Sequence, residues 1–166
     1  MILDNAPARS AELLGQNRVD AALVPVIAYQ SLSDVLLVPE VCVGAHESVK
    51  SVCLVTNGID LEDVKSVSLD TSSTKSVALT KIIFREFLGF EPDWTATPPN
   101  LEAMLAETDC ALLIGDPALV IPDYSDDSTV SQTSSLRKFD LAELWRKHTG
   151  FGFVFAMWMA NSSRSD

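Results

Sequence analysis

Short apolar runs rich in β-branched residues alternate along this chain with segments of helical periodicity. That alternation restricts it to an α/β architecture, predicted with mostly parallel strands. Val19-Asp20-Ala21-Ala22-Leu23-Val24 reads as a buried strand closed by Pro25. Residues 36–43 are extended and apolar around Pro39, and residues 51–56 form a strand ending at the turn dipeptide Asn57-Gly58. Residues 66–69 are a brief strand running into Asp70, and residues 94–97 are another. Cys110-Ala111-Leu112-Leu113-Ile114 is fully apolar and delivers Gly115-Asp116. Residues 151–160 are the last strand.

Between the strands the helical segments carry their own stops. Pro7 stands where a helix can begin, Leu13 and Leu14 continue it, and Gly15 ends it. A short helix follows around residues 27–32. The clearest helix covers 74–88, with Leu79, Ile83 and Phe87 at i, i+4 and i+8, Ala78 and Ile82 beside them, and Gly89 as the stop. Pro98-Pro99-Asn100 leads into a helix carrying Leu101, Met104 and Leu105. Asp140, with Glu143 three residues on, makes a capping-box-like start for a helix to His148 that Gly150 closes. Across residues 123–135 seven of thirteen positions are Ser or Thr and three are Asp, which predicts a mobile surface loop. Residues 161–166 are a polar tail, and no internal repeat is visible.

A length of 166 residues suits one ordinary domain or two small lobes with a real core. Twelve Lys and Arg against 23 Asp and Glu give a net charge of −11, which argues against nucleic acid and against an anionic membrane surface as partners. The first residues lack the basic region and long apolar stretch of a signal peptide. The most apolar run, 151–160, is half of what a bilayer crossing needs. A soluble, cytoplasmic protein is therefore expected. Cys42, Cys53 and Cys110 are odd in number, widely spaced and set in apolar runs, so buried free thiols are expected. Two histidines 102 positions apart and no paired cysteines make a zinc site a poor reading. Hydrolase, nucleotide and dinucleotide signatures are absent. His148, near a helix C-terminus, reads as structural.

Three segments carry chemistry. In Asp70-Thr71-Ser72-Ser73-Thr74-Lys75-Ser76, every side chain except Lys75 is a short hydrogen-bonding group, and the run lies between a strand and a strong helix. Hydroxyls, the unpaired N–H groups of a first helical turn and the positive end of the dipole together make an anion site. Plain N-capping by Ser72 or Ser73 explains one or two of these residues but not the run. Ser48-Val49-Lys50-Ser51, at the entry to a strand, is a weaker pattern, with a solvated turn as the alternative. Gly115-Asp116 follows an apolar strand at its carboxyl end, the usual ligand side of a parallel sheet. Asp116 can orient a substrate hydroxyl or accept a proton there, or it can cap the turn ahead of Pro117.

Read together, these segments resemble the chorismate dehydratases of the futalosine route to menaquinone. The resemblance is carried by residues 19–25, by Val49-Lys50-Ser51-Val52, by residues 69–79 and by 112–119. Phe139-Asp140-Leu141-Ala142-Glu143-Leu144-Trp145 continues it. The most specific block is Thr149-Gly150-Phe151-Gly152-Phe153-Val154-Phe155-Ala156-Met157-Trp158. The resemblance implies a two-lobed fold like the type 2 periplasmic binding proteins, with the ligand between lobes. It also implies removal of water from chorismate to give 3-[(1-carboxyvinyl)oxy]benzoate, with no metal or organic cofactor. Ser51 matches the serine of the family's glycine-proline-valine-x-serine loop. Ser73, Lys75 and Ser76 match its serine-arginine-threonine-serine helix start, which grips carboxylates. Ser51 and Asp116 are the expected catalytic residues; Ser48, Ser72, Ser73, Lys75, Ser76 and Gly115 are the expected substrate contacts.

The sequence departs from that pattern in three places. Glu47-Ser48 stands where the family has glycine-proline, adding an acid near a site for a dianion. Thr74-Lys75 replaces arginine-threonine, moving the positive charge one position, or roughly 100° around a helix. The family's opening strand and its substrate-contacting asparagine have no counterpart, nor do its closing helices. The expected organisation is a partial first lobe over 1–45, a second α/β lobe over 46–150, a crossover strand over 151–160 and a tail. Apolar faces such as Leu23, Val24, Phe153 and Phe155 are expected to lie uncovered and to favour self-association. Two further readings stand beside a dehydratase-like lyase that is inactive alone or not: a non-catalytic carboxylate-binding lobe, and a relative of 1,4-dihydroxy-6-naphthoate synthase.

Overall fold

Residues 7–70, 74–122 and 136–162 are described in a computed structural model. Their elements run, in chain order, α1 (Pro7–Gly15), β1 (Ala21–Pro25), β2 (Val35–Ala45), β3 (Val52–Thr56), β4 (Ser66–Leu69), α2 (Thr74–Ile82), β5 (Asp93–Ala96), α3 (Leu101–Glu107), β6 (Cys110–Ile114), α4 (Asp116–Leu119), β7 (Arg137–Asp140), α5 (Leu141–Thr149) and β8 (Phe153–Asn161). They form two compact units, Met1–Ala45 with Phe153–Asp166, and His46–Gly152.

The first unit is built on a three-stranded antiparallel sheet of order β1-β8-β2. Its pairs include Leu23 with Trp158 and Leu36 with Ala160. Residues two apart on a strand share a face, so Ala22 and Val24 meet Met159 and are covered by Leu14 of α1. Val24 is fully buried there, against the expectation that it lies uncovered, because α1 closes that face. Leu23, Phe153 and Phe155 are half-buried. Cys42 is exposed rather than buried, since β2 is an edge strand whose register with β8 breaks on both sides of the Cys42–Val43 pair.

The second unit holds a five-stranded sheet of order β5-β4-β6-β3-β7. β4 runs parallel to β5 and β6, whereas β3 is antiparallel to both β6 and β7. The expectation of mostly parallel strands therefore fails. An apolar run specifies burial on both faces, but a strand's direction is set by how the chain returns to the sheet. Cys53, Val55, Ala111 and Leu113 build one core layer with Met104 of α3 and Ala118 of α4.

Helix ends in this unit follow the residues placed there. Asn100 accepts the Ala103 N–H at 3.0 Å and starts α3. Gly89 and Gly150 take left-handed dihedrals that end their helices. The helix expected over 74–88 is α-helical only to Ile82; Ile83–Leu88 winds as a π-helix. Phe84 in that segment is fully buried and meets Phe90 and Trp94 edge-on at 5.5 and 5.6 Å. His148 stacks on Phe87 at 4.8 Å, which agrees with a structural histidine. The Ser/Thr-rich stretch 123–135 lies outside the described residues. Among the described residues no helix is long and apolar enough to cross a membrane.

Candidate functional site

One end of the five-stranded sheet collects the three chemistry-bearing segments. β4 and β6 are parallel, with Leu69 paired to Leu112, so both strands deliver their carboxyl ends there, as Asp70 and as Gly115. β3 is antiparallel to β6 with Val52 opposite Ile114, so its entry, Ser51, lies at the same end. The Gly115 N–H donates to the Ser51 carbonyl at 2.7 Å and joins the two segments. β7 pairs Asp140 with Cys53 and brings the start of α5 to this end as well.

Six of the eight predicted residues lie among the described ones. Ser48 and Ser51 are half-buried in the 46–51 loop. Gly115 has φ 72° and ψ −144°, a backbone region essentially reserved for glycine. A Cβ there would meet nothing within 4 Å, so glycine serves the backbone turn and not a tight approach. Asp116 follows as the first residue of α4 and is exposed. Lys75 stands in the first turn of α2 and is half-buried, with no partner for its ammonium among the described residues. Burial lowers its pKa from the ordinary 10.5. Ser76 is buried at 4 % exposure, and its carbonyl accepts from the Thr80 hydroxyl at 2.8 Å. Ser72 and Ser73 lie outside the described residues.

A lysine in a first helical turn is an unusual choice for the fold alone. The N-terminal end of a helix dipole is positive and repels a cation, and partial burial adds a desolvation cost. An anion arriving there relieves both effects. With the hydroxyls of Ser48 and Ser51 and the carboxylate of Asp116 at the same sheet end, the arrangement offers donors for an anion and an acceptor for a proton.

Two contributors were hidden in the sequence. Asp140 reads as a helix cap, and it is one, accepting from Ala142 and Glu143 N–H at 2.8 and 3.2 Å. Its carboxylate also accepts from Val49 N–H at 3.0 Å and Lys50 N–H at 2.6 Å, 91 and 90 residues away in sequence. Arg146 donates to the His46 carbonyl at 2.8 Å from the same helix. No local pattern marks such long-range pairs. Among the described residues no group of three or more His, Cys, Asp or Glu is gathered for a metal ion.

A family model described as menaquinone biosynthesis matches residues 1–166. The chain belongs to that family. A chorismate dehydratase from Thermus thermophilus is 33 % identical over 165 residues, covering 95 % of this chain and 60 % of that protein. The chain thus spans about three fifths of the length of this curated relative. Among solved structures, YhfZ from Shigella flexneri superposes with a TM-score of 0.64 at 15 % identity, over 99 % of this chain and 66 % of that one. The periplasmic aliphatic sulphonate binding protein SsuA from Escherichia coli gives 0.55 at 15 % identity, over 95 % and 53 %. These similarities establish the fold of the family member as α/β of the type 2 periplasmic-binding-protein kind.

Proposed function

We propose that this chain is a chorismate dehydratase-like hydro-lyase, with the sheet end that carries Ser51, Lys75 and Gly115-Asp116 gripping chorismate. The observation that carries this reading is the convergence of three separate segments, each able to hold a carboxylate or a hydroxyl, at one end of one sheet. The 33 % identity to a chorismate dehydratase supports the choice of substrate.

Chorismate offers two carboxylates, a ring hydroxyl and an acidic ring C–H. The Lys75 ammonium and the amides opening α2, with Ser72, Ser73 and Ser76, take one carboxylate. Ser48 and Ser51 lie across the sheet end and donate to the other carboxylate or to the departing oxygen. Asp116, exposed beside the Gly115 turn, orients the hydroxyl or receives the ring proton. In the reaction the ring C–H bond and the C–O bond to the hydroxyl break. The C–H electron pair becomes the third ring double bond, and proton and hydroxide leave as water. Aromatisation supplies the driving force, so the site has mainly to position the substrate and stabilise a departing hydroxide with fixed dipoles.

The test is incubation of the protein with chorismate followed by chromatography. The reading expects 3-[(1-carboxyvinyl)oxy]benzoate to accumulate, with a loss of about 10²-fold or more in rate for Ser51→Ala, in line with removal of one stabilising donor. Chorismate bound without product would instead identify a carboxylate-binding module. Absence of binding would refute both.

A further inference from the structure

From the geometry around α5 we infer that Asp140 is a positioning residue, whose carboxylate sets the 46–51 loop as one wall of the chorismate-gripping face. The inference rests on the proposed function for its ligand and on the hydrogen bonds alone for its mechanics. Asp140 is 7 % exposed and sits between two sets of backbone donors. Oδ1 faces α5, accepting from Ala142 and Glu143 N–H at 2.8 and 3.2 Å. Oδ2 faces the loop, accepting from Val49 and Lys50 N–H at 3.0 and 2.6 Å, and the Val49 N–H also reaches Oδ1 at 3.2 Å. An ordinary helix cap needs only the first set.

The second set answers a need of the loop. The Ser51 N–H donates to the Val49 carbonyl at 2.7 Å with Lys50 between them at φ 60°. That is a γ-turn of the positive-φ hand, a rare and strained conformation. Strain of this kind persists only where surrounding contacts over-determine it. Here the Lys50 and Val49 amides are held by Asp140, the Ser51 carbonyl by the Gly115 N–H at 2.7 Å, and the His46 carbonyl by Arg146 at 2.8 Å. The loop is thus pinned along its length, with Ser48 between the pins and Ser51 at the last of them. Asp140 supplies the central one.

One feature separates this role from a merely structural cap. The Lys50 bond uses Oδ2 alone and the helix bonds use Oδ1 alone, while the Val49 N–H is shared between the two oxygens. Asp140→Asn therefore keeps an oxygen toward α5 and turns an NH2 group toward the Lys50 amide, removing the Lys50 bond and the shorter Val49 bond while sparing the cap. The first measurement is amide hydrogen exchange. In the native chain the Val49 and Lys50 amides should be protected, and in Asp140→Asn the Lys50 amide should exchange at least tenfold faster while Ala142 and Glu143 hold their rates. The second is calorimetric titration with chorismate, where Asp140→Asn should bind at least tenfold more weakly.

Unprotected Val49 and Lys50 amides in the native chain would overturn the inference without any variant having to fold. Unchanged exchange in Asp140→Asn would overturn it too, as would faster exchange with undiminished affinity. A native chain that shows protected loop amides but no affinity for chorismate would refute the proposed function, and the role assigned to Asp140 with it.

Discussion

Lys75 concentrates the electrostatic argument in one side chain. Burial pushes its pKa below 10.5, so in the folded chain its charged form is disfavoured relative to the unfolded one. Its contribution to folding stability therefore improves as pH rises through the folded pKa toward 10.5. Anion binding has the opposite sign, because a carboxylate needs the charged ammonium. Affinity for chorismate should be complete below the folded pKa and fall as pH climbs through it, with a midpoint below 10.5. Calorimetry across that range checks this, and Lys75→Arg should flatten the curve, since guanidinium stays charged. Gly115 makes a second prediction at this scale. Its dihedrals of 72° and −144° belong to a region where a side chain is strained whatever the space around it. Gly115→Ala should cost about 1–3 kcal/mol in urea denaturation.

The elements differ in how much of them the sequence could reveal. Helix boundaries were legible where a single residue decides them: Asn100 and Asp140 as caps, Gly89 and Gly150 as left-handed stops. Strand positions were legible from runs such as residues 110–114. Strand direction was not, because β3 owes its antiparallel setting to β6 and β7, which arrive more than fifty residues later. The π-helical winding of Ile83–Leu88 was also invisible, since the apolar spacing there fits an ordinary helix. The candidate site shows the same division. Ser48, Ser51, Lys75 and Gly115-Asp116 stand out in local patterns, whereas the bonds from Asp140 to the 46–51 loop exist only once the chain has folded. The π-helical segment is anchored by Phe84, fully buried against Phe90 and Trp94. Phe84→Ala should therefore destabilise the chain by about 3–5 kcal/mol. A midpoint shift in chemical denaturation reads this directly, and a loss below about 1 kcal/mol, less than area burial alone supplies, would contradict the anchoring role of Phe84.

At the scale of the whole molecule, charge and site pull in opposite directions. The chain carries −11 and its proposed substrate is a dianion, so long-range steering opposes encounter while a helix terminus and one lysine set the local potential. Stopped-flow association with chorismate should speed up as salt rises and screens the net charge; an on-rate that falls with salt would mean that local cations dominate the approach. The proposed ligand-gripping role places chorismate at the gathered strand ends of the His46–Gly152 unit. Backbone amide resonances followed during a chorismate titration test that placement most directly. The account predicts saturable shifts concentrated at Val49–Ser51, Lys75–Ser76 and Gly115-Asp116. Saturable shifts confined to other parts of the chain, or none at millimolar chorismate, would contradict it.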